Sequence, residues 1–145
     1  MSSSLFYDCY APYESYPSTI HVDGDKSFGE LQNNDILYIL VYDCNGYHFD
    51  ELKVINNWHI AKGYNYISCL RGKKKFNINF GTTNCWNCSH ESKENSIILY
   101  EGYIIGTNKE SIYNYKCEKL REEFKLAQKQ CNSILNELKL IESLI

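Results

Sequence analysis

The sequence predicts an α+β protein: a small antiparallel, strongly bent sheet or partly open β-barrel of about five to six strands, followed by one long C-terminal α-helix. Three observations carry this. Short apolar, β-branched and aromatic runs recur between Ser18 and Ile105, separated by Gly, Asn and Asp. Asn45-Gly46 lies between two such runs, the strongest short-range hairpin signal. From Tyr113 onward apolar residues fall at alternating spacings of four and three, and no Gly or Pro interrupts them. That alternation places every member on one narrow helical stripe.

Residues 1–17 carry Ser, Tyr and both prolines and read as an extended or flexible arm. Residues 18–106 form the barrel or meander domain. An edge strand at Ser18–Val22 precedes the turn Asp23-Gly24-Asp25-Lys26, and a second turn at Leu31–Asp35 leads into Ile36–Tyr42. That run is almost continuously apolar, β-branched and aromatic, which predicts a strand covered on both faces. The Asn45-Gly46 turn returns the chain from Tyr47 or His48 through a second strand, where Asn56-Asn57 marks a bulge or turn. Tyr64–Leu70 is the next strand, and Arg71-Gly72-Lys73-Lys74 a tight turn. Lys75–Phe80 alternates cleanly, with Phe76, Ile78 and Phe80 on one face. Gly81–Asn95 is a long polar loop. Ser96–Ile105 is the last strand, with a bulge or sharp bend at Gly102.

Residues 107–145 form the helix. Gly106 ends the strand pattern, and Thr107-Asn108-Lys109-Glu110 has the form of a capping box with Thr107 as the N-cap. Such a helix is roughly 55 Å long at about 1.5 Å per residue, more than the diameter of the domain before it. Its proximal turns, around Tyr113 to Leu120, are expected to pack on the barrel. Its distal stripe, Phe124, Ala127, Cys131, Ile134, Leu138, Ile141 and Ile145, is expected to meet another copy or a partner, with Leu135 and Leu144 widening it. With Cys117 at an a position, a parallel pair would set Lys116 against Arg121 and Glu137 against Glu142, two repulsive contacts with no attractive one.

Composition narrows the function classes. The 145 residues carry a formal charge of −3, which argues against sequence-independent nucleic-acid binding by the chain as a whole. No apolar run is long enough to cross a bilayer, and Met-Ser-Ser-Ser lacks a basic leader, so the expected setting is cytoplasmic and not membrane-bound. The seven Cys are odd in number and scattered, as expected of reduced thiols used as small apolar residues. Tyr is abundant at 13 residues, but Asn, Ile and Lys are abundant too, which AT-rich coding accounts for without a stacking platform.

Three constellations could carry chemistry. Cys85-Trp86-Asn87-Cys88-Ser89-His90 has the spacing of half a zinc site, with Cys85, Cys88 and His90 as ligands and Cys44, Cys69, His48 or His59 as a fourth. No second Cys pair follows, so the expectation is no cofactor, with zinc as the alternative. Arg71, Lys73, Lys74 and Lys75 make a basic hairpin tip near Tyr64, Tyr66 and Phe76, an alternative site for single-stranded nucleic acid. His48, Asp50, Glu51, His59 and Cys44 invite an acid–base reading, but no nucleophile elbow or phosphate loop accompanies them, and the chain reads as no enzyme.

The junction E-G-Y-I-I-G-T-N-K-E-S-I-Y-N-Y-K-C-E-K-L, from Glu101 to Leu120, resembles that of small bacteriophage accessory proteins, in which a short antiparallel barrel ends in a strand and a capped, charged helix closes the chain. The resemblance implies a viral setting inside a host cytoplasm and assigns no activity or site residue. The function expected is therefore a non-enzymatic protein-interaction module, self-associating through its C-terminal helix and acting on a host protein as a takeover or anti-defence inhibitor. A nucleic-acid-binding barrel and a small virion protein are the alternatives.

Overall fold

The computed structural model describes residues 18–57, 66–80 and 93–145. The expected arm 1–17 and most of the expected loop, residues 81–92, lie outside the described residues. The chain divides into two compact units, Met1–Ile112 and Tyr113–Ile145.

The first unit is an antiparallel sheet of seven strands: β1 (Ser18–Ile20), β2 (Ile36–Asp43), β3 (Gly46–Asn57), β4 (Tyr66–Arg71), β5 (Lys74–Asn79), β6 (Ile97–Tyr100) and β7 (Tyr103–Gly106). Their order in the sheet is β1-β6-β7-β2-β3-β4-β5. The strand count exceeds the expected five to six because Ser96–Ile105 is not one bent strand. Glu101 and Gly102 both take positive φ, 50° and 83°, and close a two-residue hairpin between β6 and β7. That pair of conformations is the one that suits the right-handed twist of the flanking strands.

The sheet curls into a half-barrel. Phe76 on the β5 edge reaches Tyr100 on β6 and Tyr103 on β7, with ring centroids 6.3 Å apart in both cases. The terminal strand β5 therefore shares one inner face with β6 and β7, from the other half of the order. That face holds the core: Leu37, Ile39, Leu52, Val54, Ile67, Cys69, Ile78, Ile98 and Ile105 are fully buried. Each large aliphatic side chain buried there contributes about 1.5–3 kcal/mol.

One end of the half-barrel is closed by a 3₁₀ turn, Phe28–Glu30. Phe28 is fully buried and packs on Phe80 at 5.1 Å. The buried Asn57 side chain holds this plug, its Nδ2 donating to the carbonyls of Phe28 (2.8 Å) and Leu31 (3.2 Å). Asn57 can do so because the β3–β4 register shifts between Val54 and Asn56. The extra residue reverses the alternation and turns Asn57 to the same side as Leu52 and Val54.

The β2 strand is not buried on both faces. Leu37, Ile39 and Val41 are buried, whereas Ile36, Tyr38 and Leu40 are half-buried and Tyr42 is exposed. Its apolar outer side is shielded in part by the Lys109 ammonium, 5.2 Å from the Tyr38 ring and 5.5 Å from that of Phe49. The β2–β3 turn also differs in detail from expectation. Gly46 alone takes positive φ, at 93°, while the amide of Asn45 is held by Asp43 Oδ1 at 2.9 Å.

The helix, α1, runs from Lys109 to Glu142. Its N-cap is Asn108, not Thr107. Asn108 Oδ1 accepts from the amides of Glu110 (2.9 Å) and Ser111 (3.4 Å). The Thr107 hydroxyl is engaged elsewhere, donating to the Lys26 carbonyl at 2.6 Å. Only Ile112 of this helix is fully buried, and it sits on the outer face of the sheet against Gly106.

Candidate functional site

The second unit is helix from Tyr113 to Glu142, ending in a short turn. Its sequence is rich in Lys, Glu and Leu, which lose little side-chain freedom in a helix. Lys119 pairs with Glu122 at 3.5 Å on its surface, and Lys139 in the last turn complements the helix dipole. The Ser143 hydroxyl donates to the Leu140 carbonyl at 2.6 Å, satisfying one of the last open acceptors.

The predicted stripe is present as a continuous apolar line along this helix. Phe124, Ile134, Leu138 and Ile141 are exposed at 66%, 66%, 51% and 62%, and Ala127, Cys131 and Ile145 are exposed with them. Leu126 and Leu140, also exposed, were missed by the four-and-three reading. They stand fourteen residues apart and so fall on one line of the helix, beside Leu144. This second apolar line lies about 100° round the helix from the Ala127–Ile141 line of the stripe, beyond the polar Glu123, Gln130 and Glu137, and so faces away from the seam that the alternation marks. Exposed large apolar side chains in a contiguous row mark interaction surfaces more often than scattered single ones do.

A second cluster lies on the inner face of the sheet, at the end away from Phe28. Arg71 donates from Nε (3.1 Å) and Nη2 (2.6 Å) to Asp50 Oδ2. The guanidinium also stands over the Tyr103 ring at 5.8 Å. Asp50, and after it Tyr103, raise the Arg71 pKa further, so its charge is permanent. His48 sits between Asp43 (3.7 Å) and Asp50 (3.6 Å). Arg71 is therefore committed to a carboxylate within its own chain.

This placement divides the expected basic tip. Gly72 and Lys73 form the β4–β5 turn, with Gly72 at φ 62°. Lys74 pairs with Arg71 in the ladder and Lys75 with Leu70, which puts the two lysines on opposite faces. Tyr66 and Phe76 likewise point to opposite faces, and Tyr64 lies outside the described residues.

Cys85, Cys88, His90 and His59 lie outside the described residues. Of the other thiols proposed as a fourth ligand, Cys69 is fully buried and its pKa is pushed up to about 12 by that burial, while Cys44 is exposed in the β2–β3 turn. Among the described residues, no group of three or more His, Cys, Asp or Glu side chains could hold a metal ion. Glu51 lies on the face opposite His48 and Asp50. Among the described residues no helix is long and apolar enough to cross a membrane.

No known protein family, curated protein or solved structure matches the chain. The half-barrel followed by a long helix is the fold, and functional assignment rests on its surfaces alone.

Proposed function

We propose that this protein is a non-enzymatic interaction module that self-associates through residues 120–145. The observation that carries the reading is the exposed line of Phe124, Ile134, Leu138 and Ile141 on a helix with no Gly or Pro. A solitary helix of this length gains most of its stability from packing an apolar face, and little from propensity. A second copy supplies such a face without any further gene product. The Leu126 and Leu140 flank leaves apolar surface beyond that pairing, which supports a role in holding another protein.

In a bacteriophage setting, which the Glu101–Leu120 junction resembles, such a module acts in the host cytoplasm by binding and blocking a host or defence protein. The alternative there is a small virion part. Sedimentation of the full chain tests the core of the reading. Wild type forms a concentration-dependent dimer or higher oligomer, and Leu138→Glu combined with Ile141→Glu leaves a folded monomer. An unchanged sedimentation coefficient in that variant overturns the assignment of the stripe.

A further inference from the structure

The charges flanking the stripe carry the reading further. We propose that the helix pairs with a second copy in antiparallel orientation, in the register that sets Arg121 against the partner's Glu142. This rests on the self-association proposed above and adds its direction and register.

Parallel pairing repels at Lys116–Arg121 and at Glu137–Glu142 and attracts nowhere. In an antiparallel pair the residues flanking one side of the seam face their own kind on the partner. Three registers keep the stripe in contact along most of Phe124–Ile145, and they differ by one heptad. In the first, Ala127 is level with the partner's Leu138 and Phe124 with the partner's Ile141. The flank then places Arg121 opposite Glu142 twice, by two-fold symmetry, and no like charges meet. Sliding one heptad one way sets Glu123 against Glu137 twice. Sliding the other way sets Glu137 against itself. Like charges at such positions disfavour both alternatives.

Side-chain volume selects the same register. It opposes each small seam residue with a large one: Ala127 with Leu138, and Cys131 with Ile134. The register with the Glu123–Glu137 clash instead opposes Cys131 with Ala127, leaving a gap between two small side chains. Both Arg121 and Glu142 are exposed in the single chain and available to a partner.

Sedimentation equilibrium of the full chain tests this with Arg121→Glu, Glu142→Arg and an equimolar mixture of the two variants. Each single change turns two attractive contacts into two repulsive ones and raises the dimer Kd about tenfold, an effect that added salt reduces. The mixture restores near wild-type affinity. In the mixed dimer one end sets the introduced glutamate against the introduced arginine, and the other end keeps the native pair. This recovery also excludes misfolding as the cause of the loss. Parallel pairing predicts the opposite, since each swap relieves a repulsion and tightens the dimer. Tightening, or no change, in the single variants overturns the antiparallel register while leaving self-association intact. A wild-type chain that stays monomeric overturns self-association itself.

Discussion

Gly106 and Ile112 fit each other so closely that a Cβ on Gly106 would stand 2.9 Å from Ile112 Cγ1 and 3.1 Å from the Ser96 carbonyl oxygen. The glycine that ends β7 is thus the seat of the first helical turn. Ile112 is fully buried there although it lies outside the inner core, on the side of the sheet that also buries Ile97.

Gly106→Ala forces Ile112 or the β6–β7 backbone to move and costs about 1–3 kcal/mol. Ile112→Ala empties the same site and costs about 2–4 kcal/mol. The double variant loses less than the sum, because truncating Ile112 removes the atoms that the new Cβ would meet. Urea unfolding of the four proteins measures this directly. Strict additivity would contradict the seat.

The Asn57 amide is the tie between the bulged end of β3 and the 3₁₀ plug. Asn57→Ala removes the side-chain donor of the Leu31 carbonyl and one of the two donors to the Phe28 carbonyl, and lowers stability by about 1–3 kcal/mol. Hydrogen exchange of the Glu30 and Leu31 amides, which donate to Ser27 and Phe28 carbonyls at 3.1 and 3.4 Å, should accelerate more than exchange in β2. Uniform acceleration would show that the plug has no separate anchor.

Glu101 is a non-glycine residue at φ 50° in the β6–β7 turn. Asn tolerates this region and favours such turns. Glu101→Asn therefore stabilises the fold by a few tenths to about 1 kcal/mol, read as a rise in Tm. A fall in Tm would mean that Glu101 makes a contact outweighing its backbone strain.

Two loop residues give stability opposite dependences on pH. Asp35 accepts from the Gln32 amide (2.8 Å) and from Lys26 Nζ (3.0 Å), and these hold its pKa below the usual carboxylate range. A folded pKa below the unfolded one gives a contribution present above the ordinary carboxylate value and lost as pH falls through the lowered one. His21 places Nδ1 3.0 Å from the Glu94 carbonyl and Nε2 2.9 Å from Asp23, and both acceptors favour the doubly protonated ring. Its pKa is raised above 6.5, so its contribution is full below that value and lost as pH rises through the raised one. Asp35→Asn should therefore lower Tm at neutral pH and have no effect in strong acid. His21→Gln should lower Tm at mildly acidic pH and have no effect in alkaline buffer. The reverse pattern in either variant would contradict the assigned bonds.

Local chemistry made much of this fold legible in the sequence. The alternation of Lys75–Phe80, the Asn45-Gly46 turn and the unbroken helix all depend on neighbours in the chain, and each is found in the structure. What escaped depends on distant partners. Thr107 looked like the cap, but the Lys26 carbonyl, 81 residues away in sequence, takes its hydroxyl and leaves capping to Asn108. Arg71 reads in the sequence as part of a basic hairpin tip, but Asp50, 21 residues away, takes its guanidinium. Glu101 carried no turn signal, so the β6–β7 hairpin read as a single bent strand. The apolar stripe was legible because helical spacing is local.

Sedimentation velocity of the unmodified chain over a wide concentration range tests the proposed self-association through this stripe most directly. A sedimentation coefficient that rises with concentration toward a dimer or larger species, and collapses to the monomer value in Leu138→Glu/Ile141→Glu, is the predicted result. A monomer at every concentration would contradict it.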